Sequence, residues 1–284
     1  MILLYYVQET DKPNFLFKLF NIVRLQGDKI ILPIGKEKIK PKRAEGLAKK
    51  TKKILEKTNC NKIVLSKMMK TQENYKNYLY SHNINIVEGR WLFEVLSKQI
   101  LEYVIKKEKM KKEETRLSIL VNEITDNFLQ NIKEIVKQYK SVNIVTNHIE
   151  KFKRIEEKIL QEDGIMITVT NNKKKSLAKS EIILNVDFPT ELINQYYIYE
   201  EAIIINLRGN VKINRKRFNG ININDYKIEF NYLDEFDYDK NNLYEKKDIY
   251  EAQIYQKQPY QEVIKKTKKD KVKIVGLIGN KTVL

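Results

Sequence analysis

The sequence predicts an α/β protein made of two α/β domains, with a parallel sheet in the second and a tyrosine-rich arm at the C-terminus. Three observations lead there. Apolar runs of strand length alternate with segments whose apolar residues recur at helical spacing. The connections between them are short, so the strands run parallel with right-handed crossovers. A chain of 284 residues can hold two cores, and the charged run KKEKMKKEE at residues 106–114 offers a solvated connection between them. The expected division is a basic domain over 1–112, a second domain over 113–230, and an arm over 231–284.

In the first domain, residues 2–7 and 29–34 are apolar runs of strand length. Ala44, Leu47, Ala48, Thr51, Ile54 and Leu55 then mark one face of a helix. Residues 62–66 read as a third strand, 72–81 as a helix and 84–87 as a fourth strand. A turn at Glu88-Gly89-Arg90 opens a helix that carries Leu92, Val95, Leu96, Ile100, Tyr103 and Val104 on one face. In the second domain, residues 116–122 form a strand, and Phe128, Leu129, Ile132, Ile135, Val136 and Tyr139 follow the stripe of a buried helix. Residues 142–146 are the next strand, and Ile149, Phe152, Ile155 and Ile159 line the helix after it. Residues 165–170, 182–186 and 203–207 supply three further strands. The arm places tyrosines at 232, 238, 244, 250, 255 and 260, a spacing that fits no helical stripe and predicts an extended segment packing them on the domains. Residues 272–279, VKIVGLIG, read as a last strand that completes the sheet of the first domain.

Composition excludes several kinds of chemistry. The single cysteine, Cys60, permits no disulfide framework and no cysteine-rich metal site. His82 and His148 stand far apart, and neither has a metal-ligand spacing around it. There is no nucleophile elbow and no phosphate-loop lysine. The opening MILLYYV is cut off by QETDK, so it is expected to be a first strand rather than a secretory leader. No run approaches the roughly 18 apolar residues of a membrane span. A cytoplasmic protein without a membrane partner is expected. The net charge is +17, with 25 Lys+Arg against 11 Asp+Glu in 1–112, 18 against 17 in 113–230, and 11 against 9 in 231–284. Read this way, the positive charge belongs to the first domain.

The stretch SVNIVTNHIEKFKRIEEKIL, residues 141–160, is a strand running into an amphipathic helix with Thr146-Asn147-His148 at the turn. The second strand–helix unit of a dinucleotide-binding domain has this form. In such a domain the first strand ends in G-x-G-x-x-G, whose glycines let the pyrophosphate reach the backbone and a helix N-terminus. The equivalent turn here, LSILVNEITDNFLQ, has no glycine and sets Glu123 and Asp126 where phosphate oxygens would lie. Ordinary pyrophosphate binding is not expected.

The segments VNIVTNHIEKFKRIEEKI, SEIILNVDFP and EEAIIINL resemble the Rossmann-like NADP-binding domains of shikimate dehydrogenase and glutamyl-tRNA reductase, over about 95 residues. The resemblance implies that the Asn-Arg-Thr-like turn holding the ribose phosphate corresponds to Asn147-His148-Ile149. It implies that the turn beside the nicotinamide corresponds to Asn185-Val186-Asp187, with Pro189 after it. The chain departs from the pattern in lacking the glycine loop and in having His148 where arginine reads the phosphate. Residues 1–112 also lack the Asn-Val-Thr-x-Pro-x-Lys segment of the dehydrogenase. The fold carries over and the reaction does not, so NADP is allowed as a cofactor but disfavoured. The candidate ligand residues are Thr146, Asn147, His148, Lys151, Asn185 and Asp187. Asn147 and His148 have two roles open to them, capping the following helix or touching a ligand.

Two stretches are candidates for anion contact. Residues 35–57, GKEKIKPKRAEGLAKKTKKILEK, contain Lys42, Arg43, Lys49, Lys50 and Lys53, and the helical lysines lie off the apolar face. Residues 208–220, RGNVKINRKRFNG, hold Arg208, Arg215, Lys216 and Arg217, with three of the chain's eight arginines. This loop follows the last strand and is expected near the sheet's C-terminal edge. The planar fork of arginine suits phosphate, and Phe218 could stack on a base. No recognised RNA- or DNA-binding module is present. The expected function is that of a diverged, non-catalytic Rossmann-like protein binding an anionic ligand or partner between the first domain and this loop. A nucleic-acid-binding protein and an NADP-dependent reductase are the alternatives. No catalytic residue and no oligomeric state follow from the sequence.

Overall fold

The computed structural model describes residues 4–10, 15–35, 37–139, 141–231, 242–254 and 259–281. It has two compact units, each made of two chain segments: Met1–Gly89 with Tyr232–Gln256, and Arg90–Asn231 with Lys257–Leu284. The division falls at Gly89/Arg90 rather than near residue 112. The helical stretch expected to close the first domain instead opens the second unit.

The first unit contains β1 (Tyr5–Glu9), α1 (Phe15–Leu19), β2 (Arg24–Gln26), β3 (Lys29–Leu32), α2 (Pro41–Lys57), β4 (Lys62–Leu65), α3 (Lys67–Lys70), α4 (Glu73–Ser81) and β5 (Asn85–Val87). Its sheet has the order β2-β3-β1-β4-β5, parallel except for β2. Pro41 opens α2, at a position whose N–H has no helical partner anyway. Ala44, Leu47, Ala48, Thr51 and Leu55 of that helix are buried, as their spacing predicts. The Thr51 hydroxyl meets the buried Tyr75 hydroxyl of α4 at 2.7 Å, and burial raises the Tyr75 phenol well above its usual range.

The second unit contains α5 (Arg90–Val95), α6 (Ser97–Lys107), β6 (Arg116–Leu120), α7 (Asp126–Val136), β7 (Ser141–Val145), α8 (Ile149–Asp163), β8 (Thr168–Thr170), β9 (Ile182–Asn185), α9 (Thr190–Ile193), β10 (Ile203–Asn206) and β11 (Ile221–Glu229). The single helix expected after Gly89 is thus two helices that meet at Leu96. β11 has no counterpart among the expected strands, although ININDYKIE alternates along much of its length. The strands from β6 to β11 lie in the order β8-β7-β6-β9-β10-β11 and are mutually parallel. Numbered from β6, this is the 3-2-1-4-5-6 order of a doubly wound, Rossmann-like sheet. β9 and β10, flanked on both sides, are buried throughout, which explains why they read as unbroken apolar runs.

The tail corrects the expectation of an extended arm. α10 (Lys246–Ile254) belongs to the first unit, where Tyr244 and Ile249 pack with Tyr6, Val64 and Val87 on the sheet face. α11 (Tyr260–Lys269) and β12 (Lys273–Gly279) belong to the second unit. β12 pairs antiparallel with β11, so it completes the second sheet and not the first. Tyr244, Tyr250 and Tyr260 are buried, while Tyr232, Tyr238 and Tyr255 lie outside the described residues. No described helix is long and apolar enough to cross a membrane.

This connectivity redistributes the charge. Counted by unit, the first holds 21 Lys+Arg against 15 Asp+Glu, a net +6, because the acidic 232–256 segment joins it. The second holds 33 against 22, a net +11. The basic excess is therefore larger on the Rossmann-like unit.

Between β10 and β11 the chain crosses from the carboxyl to the amino end of the sheet without a helix. Gly220 ends this crossover, and a Cβ there would run into the Ala202 carbonyl oxygen and meet the Ala202 nitrogen at 2.9 Å. Gly220→Ala is expected to destabilise the second unit by about 1–3 kcal/mol, the usual cost of overpacking. Thermal unfolding measures it, and an unchanged melting temperature would show that the backbone yields there.

Candidate functional site

Open parallel sheets bind ligands beyond the carboxyl ends of their strands, where the strand order reverses. In the second unit this point lies between β6 and β9. The turn leaving β6 runs through Asn122 and Glu123 to Thr125, whose hydroxyl caps α7 by accepting from the Phe128 N–H at 3.2 Å. The Asp187 carboxylate, just past β9, accepts hydrogen bonds from the Asn122 N–H at 2.8 and 3.1 Å and from the Glu123 N–H at 2.7 Å. Backbone amides at this turn are the ones that receive pyrophosphate in a dinucleotide-binding domain. Here the chain supplies its own anion to them. Burial pushes the Asp187 carboxyl above its ordinary range, while the two amides and Arg208 pull the other way. The side chain of Asp126 lies outside the described residues.

Arg208 is bound into the same corner. Its Nε donates to Glu94 Oε2 at 2.8 Å and its Nη2 to Glu94 Oε1 at 3.3 Å, while its Nη1 lies 3.9 Å from Asp187 Oδ2. Glu94, from α5, is buried and also accepts from the Thr125 hydroxyl at 3.4 Å. Burial opposes the charge on Arg208, but Glu94 and Asp187 outweigh it and hold its pKa above the ordinary value. Glu94 and Asn122 carry no sequence signal of their own, and only the topology brings them here.

The turn after β7 joins this corner through Asn122, whose Oδ1 accepts from the Asn147 N–H at 2.8 Å and from the Thr146 hydroxyl at 3.4 Å. Thr146 is buried, and its Oγ1 accepts from the His148 N–H at 3.1 Å. His148 occupies the N-cap position of α8, but its side chain makes no capping hydrogen bond. Asn147, His148 and Lys151 present exposed side chains.

Asn185 is buried and satisfied internally. Its Nδ2 donates to the Phe188 carbonyl and to Asn206 Oδ1, and its Oδ1 accepts from the Phe188 N–H, each at 2.9 Å. Asn206 Nδ2 in turn donates to Asn222 Oδ1 at 2.8 Å and to Asn224 Oδ1 at 3.0 Å. A ladder of carboxamides thus runs from the carboxyl ends of β9 and β10 to the first half of β11. The signal for it is present in the matching strand ends IILN and IIIN. A cavity of about 390 Å³ opens between the loops that follow β9 and β10, small among ligand pockets.

The basic candidates separate into held and free groups. Arg43 donates from Nε to Asn21 Oδ1 at 2.8 Å and from Nη2 to the Pro33 carbonyl at 2.7 Å. Lys50 donates to the carbonyls of Phe20 and Asn21, both at 2.8 Å, and Lys49 pairs with Glu45 at 2.6 Å. Lys42 and Lys53 are exposed, with no side-chain partner among the described residues. The arginines of 208–220 do not form one cluster. Arg208 stands at the carboxyl end of the sheet, and the crossover carries Arg215, Lys216 and Arg217 to the amino end, beside Tyr197. Arg215 Nη2 donates to the carbonyls of Tyr196 and, at 3.3 Å, Asn194. Lys216 and Arg217 are exposed without a partner among the described residues.

No protein-family model and no curated protein matches the chain. Solved structures similar to it include L-tryptophan dehydrogenase from Nostoc punctiforme, at 8% identity and a TM-score of 0.31, covering 75% of this chain and 65% of that one. The ornithine transcarbamoylase of Giardia lamblia is similar at 10% identity and a TM-score of 0.30, covering 72% of this chain and 71% of its own. The chain spans just under two thirds of the dehydrogenase.

Proposed function

We propose that this chain is a diverged, non-catalytic Rossmann-like protein that binds an anionic partner through exposed cations rather than a dinucleotide in its crevice. The observation that carries this reading is the Asp187 carboxylate on the Asn122 and Glu123 amides. A diphosphate would have to displace it, and would then face Glu123 and Glu94 nearby. The kinship to the NADP-binding domains of shikimate dehydrogenase and glutamyl-tRNA reductase is read here as one of fold, with the nucleotide site given up. The anionic partner is inferred from the net +11 of the second unit and from the exposed Lys42, Lys53, Lys216 and Arg217, which have no partner among the described residues.

Two measurements test the reading. NADPH and NADH at millimolar concentration are expected to leave the melting temperature unchanged. A dose-dependent rise would mean that a dinucleotide does enter, and the NADP-dependent reductase reading would return. Retention on heparin is expected to fall steeply as salt rises, since each phosphate-like contact releases counterions. Failure to bind heparin at low salt would remove the anionic partner.

A further inference from the structure

The segments that lead into β10 and β11 carry a second, differently built surface. Tyr197, Ile198, Glu200, Arg215, Lys216, Arg217 and Phe218 enclose a cavity of about 260 Å³. Tyr197 is 51% exposed, although Tyr196 and Ile198 on either side of it are buried. The Arg215 guanidinium carbon lies 5.9 Å from the Tyr197 ring centroid, within the range of a cation–π contact. Its Nη2 is tied to backbone carbonyls, which hold the guanidinium in place beside the ring.

A further group of lysines lies on the turn next to Tyr197 in the fold. The Tyr197 N–H donates to the Lys173 carbonyl at 2.7 Å, which brings the turn at Lys173–Lys175 beside the Tyr197 backbone. Asn172 Oδ1 shapes that turn by accepting from the N–H groups of Lys174 and Lys175, at 3.0 and 3.1 Å. The amines of Lys174 and Lys175 are exposed without a partner among the described residues, like those of Lys216 and Arg217. An exposed aromatic face among free cations suits a ligand that combines a flat ring with phosphate. Exposed lysines alone would need only a polyanion, and an exposed tyrosine alone would need only apolar contact.

We propose that the surface formed by Tyr197, Phe218, Arg215–Arg217 and Lys174–Lys175 binds single-stranded nucleic acid, stacking one base on Tyr197 and placing flanking phosphates on the cations. This rests on the anionic-partner reading above and names the partner. Stacking on an aromatic ring is sequence-tolerant, and a charged track beside it follows the strand backbone. Glu200 on the cavity wall offers a carboxylate to an exocyclic amino group, which would favour cytosine over thymine at the stacked position. At about 260 Å³ the cavity is too small for a dinucleotide, so the stacked unit is a single base.

The test is fluorescence anisotropy with a labelled single strand of about 12 nucleotides, measured at about 50 and 200 mM salt. The full chain is compared with Tyr197→Ala, Tyr197→Phe, the double variant Lys216→Glu/Arg217→Glu, and Lys42→Glu/Lys53→Glu. Tyr197→Ala is expected to weaken binding roughly tenfold and Tyr197→Phe to restore it, because the ring and not the hydroxyl is used. The 216/217 double variant is expected to weaken binding at least tenfold and to flatten the salt dependence. Duplex of the same sequence is expected to bind less tightly. If the strand binds but only the Lys42/Lys53 variant weakens it, or if duplex binds as well and Tyr197→Ala is silent, this surface is not the site and the anionic-partner reading survives. Absence of both strand and heparin binding at low salt would overturn the two together.

Discussion

Replacing Asp187 by alanine is expected to lower the melting temperature of the second unit by roughly 5–15 °C and to make it newly sensitive to phosphate. The carboxylate accepts three contacts from the amides of Asn122 and Glu123 and also faces Arg208. Hydrogen bonds to a charged group contribute more than neutral ones, and their loss strands partly buried donors, at a cost of about 2–4 kcal/mol. In a unit of this size each kcal/mol moves the midpoint by about 2–4 °C. The vacated amides would then form a small anion site at the start of α7. Inorganic phosphate should recover part of the lost stability in the variant while leaving the natural chain almost unmoved. Calorimetry with and without phosphate reads both effects. Equal responses in the two proteins would show that Asp187 does not act as an internal anion.

The second large effect lies in the first unit, at Asp248 of α10. Its side chain is fully buried and forms an ion pair with Lys70 of α3. Burial raises the Asp248 carboxyl to about 6 from an ordinary 3.8, with Lys70 opposing the rise. The folded state therefore holds a proton that the unfolded chain has released between those two values. This contribution to stability is fully present below about 3.8 and is lost as the pH climbs through about 6. Such a difference in proton affinity between the folded and unfolded chain corresponds to about 3 kcal/mol. Asp248→Asn keeps the shape of the neutral acid and cannot ionise. It should remove this slope and, at a pH of about 7.5, match or exceed the natural chain, because Lys70 retains some access to water. Urea unfolding from about pH 4 to about pH 7.5 compares the two profiles. A variant with the same slope as the natural chain would assign the pH dependence to other groups.

What can be read from the sequence divides along physical lines. The strands β6, β7, β9 and β10 and the helices α7 and α8 are buried by a regular face, so period and length alone locate them. α1 buries no residue, and β2 is exposed throughout, so neither has a pattern to read. The tail misleads because α10 packs several sides at once: Lys247, Asp248, Ile249, Tyr250 and Glu251 are consecutive and all buried, which erases the stripe of a surface helix. Charge misleads for a related reason. Residues 1–112 are strongly basic, but the acidic segment that joins the first unit lies more than a hundred residues further on. At the crevice, the absent glycines and the two acids are legible. The occupant of the amides is not, since Asp187 reaches them from 64 and 65 residues away.

The pairing of β12 with β11 has a consequence for the order of events during synthesis. Neither unit is continuous in the chain: the first sheet waits for α10, and the second waits for β12. Until residues 273–279 leave the ribosome, β11 is a nine-residue edge with its outer hydrogen-bonding groups unpaired. Such an edge is a template for strands of other nascent chains. A chain in which β11 has formed before β12 joins it is therefore open to strand pairing with other copies, and that interval is where aggregation would begin.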